Sequence, residues 1–95
     1  MTIHAVVLIQ CQIDEISEAA QAIAEIGGVS EVYSVAGEFD LVAIVRVAEH
    51  DELATVIPGG ISKVEGVERT ETLIAFQVYS RHDLERMFSI GFEEP

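Results

Sequence analysis

Two runs of this chain, Ile3–Ile9 and Phe39–Val47, are apolar on both of their alternating residue sets. In the first, Ile3, Ala5, Val7 and Ile9 fall on one side and Val6 and Leu8 on the other. In the second, Phe39, Leu41, Ala43, Val45 and Val47 face one way and Val42 and Ile44 the other. Successive side chains of a strand point to opposite faces, so each run reads as a central strand covered twice. With 95 residues the chain is one domain, with a thin core and little material to cover both faces of a sheet.

The intervening segments supply two helices for one of those faces. Asp14 is placed to act as an N-cap, Glu15 and Glu18 favour the positive end of the macrodipole, and Ile16, Ala20, Ile23 and Ala24 recur at helical spacing until Gly27-Gly28. A second stripe, Leu53, Val56, Ile57, Ile61 and Val64, starts near His50 and is interrupted by Pro58-Gly59-Gly60. Proline inside a regular helix costs about 3 kcal/mol, which predicts a kink or two short helices meeting at Pro58.

Val29–Ala36 and Phe39–Val47 form a hairpin through the short connection Gly37-Glu38, Arg46 marks the solvent boundary, and Val67–Tyr79 supplies a long last strand. Ile26-Gly27-Gly28-Val29 and, 38 residues later, Val64-Glu65-Gly66-Val67 repeat the same sequence of helix end, glycine and strand-opening valine. The order is β-α-β-β-α-β, an α+β ferredoxin-like fold with a four-stranded antiparallel sheet and both helices on one face. The open face then calls for a second subunit, giving a dimeric α+β barrel. Ser80, Asp83, Leu84, Met87, Phe88 and Gly91 carry the pattern of a short C-terminal helix. The expected organisation is a domain over 1–79 and a helical extension over 80–95.

Composition excludes several functions. Seventeen acids against five Lys and Arg give a net charge of −12, which repels a phosphate backbone, so no direct nucleic-acid binding is expected. A hydrophobic fraction of 49% points to self-association. The single Cys11 makes a disulfide scaffold untenable and reads as a small buried or semi-buried thiol; the cytoplasm is the default compartment. The N-terminal run lacks the basic region of a signal peptide, and no stretch is long enough to span a membrane. His4, His50 and His82 stand in no ligating spacing, so no metal and no cofactor are expected. No nucleophile elbow, phosphate loop or dinucleotide fingerprint occurs, and no catalytic residue is assigned.

The chemistry concentrates in Gly37-Glu38-Phe39-Asp40, a tight turn that puts two carboxylates and a backbone kink at the rim of an apolar sheet. Such a turn suits a small polar ligand. Plain structural roles are available too: a positive φ at Gly37, a solvated Glu38, and an Asp40 that caps turn amides. The arginines Arg69, Arg81 and Arg86 read as ion-pair partners of nearby acids, or as a means of holding a ligand carboxylate in an interface cleft.

The element order, the turn Gly37-Glu38-Phe39-Asp40-Leu41 and the segment Gly66-Val67-Glu68-Arg69-Thr70-Glu71-Thr72 resemble the effector-binding domain of the Lrp/AsnC, or feast/famine, transcription regulators. Their hallmarks are a G-[DE]-[YF]-D turn between the second and third strands and a G-V-x-x-T-x-T segment opening the fourth. Coverage runs from about Ile3 to Val78. Full-length regulators begin with a helix-turn-helix domain, whereas this chain starts at the first strand and resembles a stand-alone ligand-binding member.

The resemblance implies a non-enzymatic sensor that binds an amino acid or related metabolite between dimers assembled into a ring such as an octamer, and that modulates transcription through its assembly or a full-length relative. Glu38 and Asp40 would accept hydrogen bonds from an α-ammonium group, while Gly37, beside Phe39 in the same turn, would let the backbone approach closely and offer its N–H to a carboxylate. Thr70 and Thr72, on one strand face, would add hydroxyls to the same cleft, or be ordinary strand residues. Two other functions fit the fold: a small dimeric α+β barrel monooxygenase, disfavoured by only six aromatics and no Trp, and a structural partner that joins a regulator's oligomer without a ligand.

Overall fold

A computed structural model describes residues 2–79 and 81. The elements are β1 (Ile3–Cys11), a 3-10 turn (Ile13–Glu15), α1 (Ile16–Ala24), β2 (Val29–Ser34), β3 (Leu41–Val47), α2 (Glu52–Val56), a second 3-10 turn (Ile61–Lys63) and β4 (Val67–Ile74). The strands pair antiparallel in the order β2-β3-β1-β4, so the ferredoxin-like α+β topology expected from the sequence is the one observed. The C-terminal helix expected from Ser80 onward rests on residues outside the described ones.

One face of the sheet holds the core. Ala5, Val7, Ile9 and Cys11 of β1 and Leu41, Ala43, Val45 and Val47 of β3 pack with Ala19 and Ile23 of α1 and with Leu53, Val56, Ile57 and Ile61. Burying each larger aliphatic side chain contributes about 1.5–3 kcal/mol. The second helical stripe is thus used in full, Val64 packing against the core's edge. It is split as Pro58 requires: α2 ends at Val56, and the stripe resumes in the 3-10 turn at Ile61. In α1 the buried positions are Ala19 and Ile23, with Ile16 and Ala20 flanking, whereas Ala24 points outward.

The two repeated segments adopt the same turn. Gly28 and Gly66 have φ of 99° and 95°, and Val29 N–H donates to Ile26 O at 3.1 Å as Val67 N–H does to Val64 O at 3.1 Å. Each glycine reverses the chain from the helical layer into a strand, in a region that side chains with a Cβ avoid.

Four expectations about boundaries change. Asp14 is no cap: α1 is entered through the 3-10 turn, Glu15 stands at its N-cap without a side-chain hydrogen bond, and Glu15 N–H donates to Gln12 O at 2.9 Å. β2 stops at Ser34 instead of Ala36, and β3 starts at Leu41 instead of Phe39, leaving a connection over 35–40. Asp40 N–H donates to Ile9 O at 2.9 Å while its carbonyl accepts from Val35 N–H at 3.0 Å, so the chain bends there and Phe39 drops out of the core-facing alternation. β4 stops at Ile74, well short of Tyr79. Beyond it Ala75 N–H still donates to His4 O of β1 at 2.9 Å, and the next residue, Phe76, stands fully exposed.

Among the described residues nothing covers the other face. Register places Val6 and Leu8 beside Val42 and Ile44, all half-buried, with Tyr33 and Leu73 about half exposed on the flanks. Each end of this apolar centre carries an arginine: Arg46, opposite His4, lies 4.0 Å from Glu31, and Arg69, opposite Gln10, lies 3.9 Å from Glu38.

Candidate ligand-binding site

The connection between β2 and β3 crosses the end of β1, and three contacts fix it there. Gln10 Nε2 donates to Glu38 O at 2.9 Å, Asp40 N–H donates to Ile9 O, and Cys11 N–H donates to Asp40 Oδ2 at 2.8 Å. Gly37, with φ of 138°, lets the chain turn, and a Cβ there would meet nothing within 4 Å. The backbone at Gly37 is therefore open to approach.

The two carboxylates of the turn have different surroundings. Asp40 is half-buried and one of its oxygens is engaged by Cys11 N–H, at the place where the β1–β4 register shifts between Gln10 and Cys11. That bond satisfies an amide the irregular ladder would otherwise leave unpaired. The neighbouring Cys11 thiol is buried, and its pKa is raised above the ordinary value, by burial first and then by the Asp40 and Glu68 carboxylates. Glu38 instead turns outward, three-quarters exposed, toward the Arg69 guanidinium.

Arg69 completes the group. Its guanidinium carbon lies 5.1 Å from the centroid of the Phe39 ring, so the ring supports the cation. Phe39 is legible in the turn motif, whereas the place of Arg69 follows from the pairing of β4 with β1, which sets it opposite Gln10. Thr70 and Thr72 lie elsewhere. They pair in register with Ile9 and Val7, on the helix side of the sheet, whereas Gln10 and Arg69 lie on the open side. In one chain the turn and the two hydroxyls do not line a common cleft. Two surface depressions, of about 260 Å³ by His4 and Phe76 and about 520 Å³ by Ile13 and Ser17, include none of these residues.

Comparison with known proteins agrees with the topology. The family described as the Lrp/AsnC ligand binding domain matches residues 4–84. A crystal structure of TTHA0845 from Thermus thermophilus shares 51% identity, covering 83% of this chain and 99% of that one with a TM-score of 0.79. The uncharacterized HTH-type transcriptional regulator PF0250 of Pyrococcus furiosus is 39% identical over 59 residues, 62% of this chain and 39% of its own length. The transcriptional regulator NMB0573 of Neisseria meningitidis, solved as a complex with L-Met, shares the fold at 11% identity, covering 83% of this chain and 53% of that one with a TM-score of 0.74. The chain spans 39% to 50% of the length of the curated regulators it matches. With the ferredoxin-like sheet, the Gly37 turn and this family match over most of its length, the chain belongs to the Lrp/AsnC family, whose ligand-binding domain it carries.

Proposed function

We propose that this domain is a non-enzymatic sensor in transcription regulation, binding an amino acid or related metabolite where subunits meet. The observation that carries the reading is the position of the Glu38–Arg69–Phe39 group: solvent-exposed, of both charges, and at the edge of an apolar sheet face that the described residues leave open. Such a face favours a second copy of the chain, and the two Arg–Glu pairs at its ends make it a mixed-charge patch on a protein of net charge −12. A dimer formed there and enlarged to a ring would bring turns and strands of different subunits together, which is how Thr70 and Thr72 of one copy would reach a cleft bordered by Gly37, Glu38 and Asp40 of another.

The L-Met held by the Neisseria protein supports an amino acid as the ligand class, and the regulators among the relatives support a readout through a DNA-binding partner in the cytoplasm. Ligand binding shifts such an assembly only through unequal affinity for its states.

The test is thermal unfolding against the twenty L-amino acids at millimolar concentration, paired with sedimentation. A ligand at 100 times its dissociation constant adds about 2.7 kcal/mol per site. Selective stabilisation together with a change in assembly supports the sensor; a flat panel in both measurements refutes it.

A further inference from the structure

We infer that Arg69 is the specificity-determining residue of this site, reading a ligand carboxylate, and that Glu38 is the built-in competitor which a zwitterionic ligand displaces. The inference rests on the sensor reading above and goes further by assigning each charge of the ligand to a side chain.

Three features single out Arg69. Of the sheet's two arginines, Arg46 lies opposite His4 at the far end, so Arg69 is the one beside the Gly37 turn. Phe39 supports the guanidinium at 5.1 Å, and contact through the ring leaves the edge N–H groups free to form the two-pronged contact that a carboxylate accepts. Its present partner holds it loosely: Glu38 Oε2 is 3.9 Å away, and the two side chains are 52% and 75% exposed. An exposed pair at that distance contributes little to folding and is readily exchanged.

Glu38 is built to move while its backbone stays. Gln10 Nε2 fixes the Glu38 carbonyl at 2.9 Å, and among the described residues only Arg69 holds the carboxylate. A ligand with adjacent carboxylate and ammonium groups meets a guanidinium and a carboxylate of opposite order, so each charge gains a partner. Asp40 contributes less, because Cys11 N–H already occupies one of its oxygens. An acidic amino acid, with two carboxylates, one ammonium and a net charge of −1, fares worse, because the net charge of −12 repels it and one arginine neutralises only one of its carboxylates. The geometry therefore points to neutral zwitterions over acidic amino acids.

The experiment uses every L-amino acid that raises the unfolding midpoint, together with its amide and its 2-oxo acid, titrated calorimetrically into the full chain and into Arg69→Gln, Arg69→Lys and Glu38→Gln. The amide lacks the carboxylate and should bind about tenfold or more weakly to the wild type, the size of one lost charge-assisted contact. Arg69→Gln should weaken amino acid and 2-oxo acid alike, with Arg69→Lys between. Glu38→Gln should separate the two, weakening the amino acid and tightening the 2-oxo acid, because the competitor is removed and the ammonium partner lost. Both positions are exposed, and unchanged circular dichroism verifies folding. If amide and amino acid bind equally, or Arg69→Gln binds as the wild type does, the Arg69 assignment is overturned while the sensor reading stands. If no amino acid binds the wild type, both fall.

Discussion

Asp40 Oδ2 accepts the backbone N–H of Cys11 at 2.8 Å across 29 residues of sequence, tying the turn before β3 to the irregular end of β1. The turn that forms the candidate site and the sheet that supports it are thereby one unit. Replacing Asp40 by Ala removes the acceptor and leaves a part-buried amide unpaired, which costs about 1–3 kcal/mol. Asp40→Asn keeps an acceptor oxygen and should lose less. Urea unfolding of the two variants checks the ordering, and equal stability of Asp40→Ala and wild type would show that the bond is not made in solution.

The glycines of this chain should not be equally sensitive. At Gly28 the φ of 99° combines with crowding, since a Cβ would stand 2.7 Å from Val56 Cγ2 and 3.2 Å from Val47 Cγ1. At Gly37 the φ of 138° is unfavourable for any L side chain, but the space is open. Gly37→Ala should therefore cost about 1 kcal/mol, from backbone strain alone. Gly28→Ala should cost at least about 1–3 kcal/mol more, from displaced core side chains. Thermal midpoints decide it; a Gly37→Ala loss as large as that of Gly28→Ala would mean the turn is more confined than its surroundings show.

The two-sided apolar strands, the split second helix and the paired glycine turns were legible in the sequence because each follows from local chemistry: alternation, a proline without an N–H, and a left-handed residue. The turn residues were legible as a motif. What could not be read locally depends on register and on neighbours. Phe39 continues the alternation of Leu41 in sequence, yet the bend at Asp40 removes it from the core, and that bend exists because β1 supplies Ile9 O and Cys11 N–H. β4 looks long in sequence, yet its pairing with β1 ends at the contact of Ala75 with His4. Thr70 lies on the helix side and Arg69 on the open side because they pair with Ile9 and Gln10, and the shift beside Cys11 puts them out of step with Val67, which no pattern within β4 itself reveals.

The 3-10 turn that leads into α1 crowds negative charge. Burial, and then Glu65, Asp14 and Glu18, raise the pKa of Glu15 above its ordinary value of 4.5. A carboxylate with a raised folded-state pKa favours folding most when protonated, so its contribution is complete below the unfolded pKa and is lost as pH rises through the folded one. Glu15→Gln should accordingly raise the unfolding midpoint at pH 7 and change it little at pH 4, and added salt should shrink the difference. A destabilisation at pH 7 would mean that Glu15 makes a contact more valuable than the repulsion it suffers.

Leu8 and Val7 are neighbours in β1 on opposite faces, and they separate assembly from folding. Val7 is fully buried under the helices, whereas Leu8, in register between Val42 and Glu71, belongs to the open face. A carboxylate at position 7 would be enclosed in the core without a partner, which exceeds what a small domain's stability of about 5–15 kcal/mol comfortably absorbs. Val7→Glu should therefore abolish cooperative unfolding. At position 8 the same change leaves the chain's own core intact and sets a charge beside Glu71 on the face proposed to meet a second copy. Leu8→Glu should retain the far-ultraviolet circular dichroism of the wild type while sedimenting as a smaller species at equal concentration, with loss of any amino-acid stabilisation that requires two subunits. If Leu8→Glu keeps the wild-type assembly, the open face is not the contact surface, and the cleft must be sought along the exposed edges of β2 and β4.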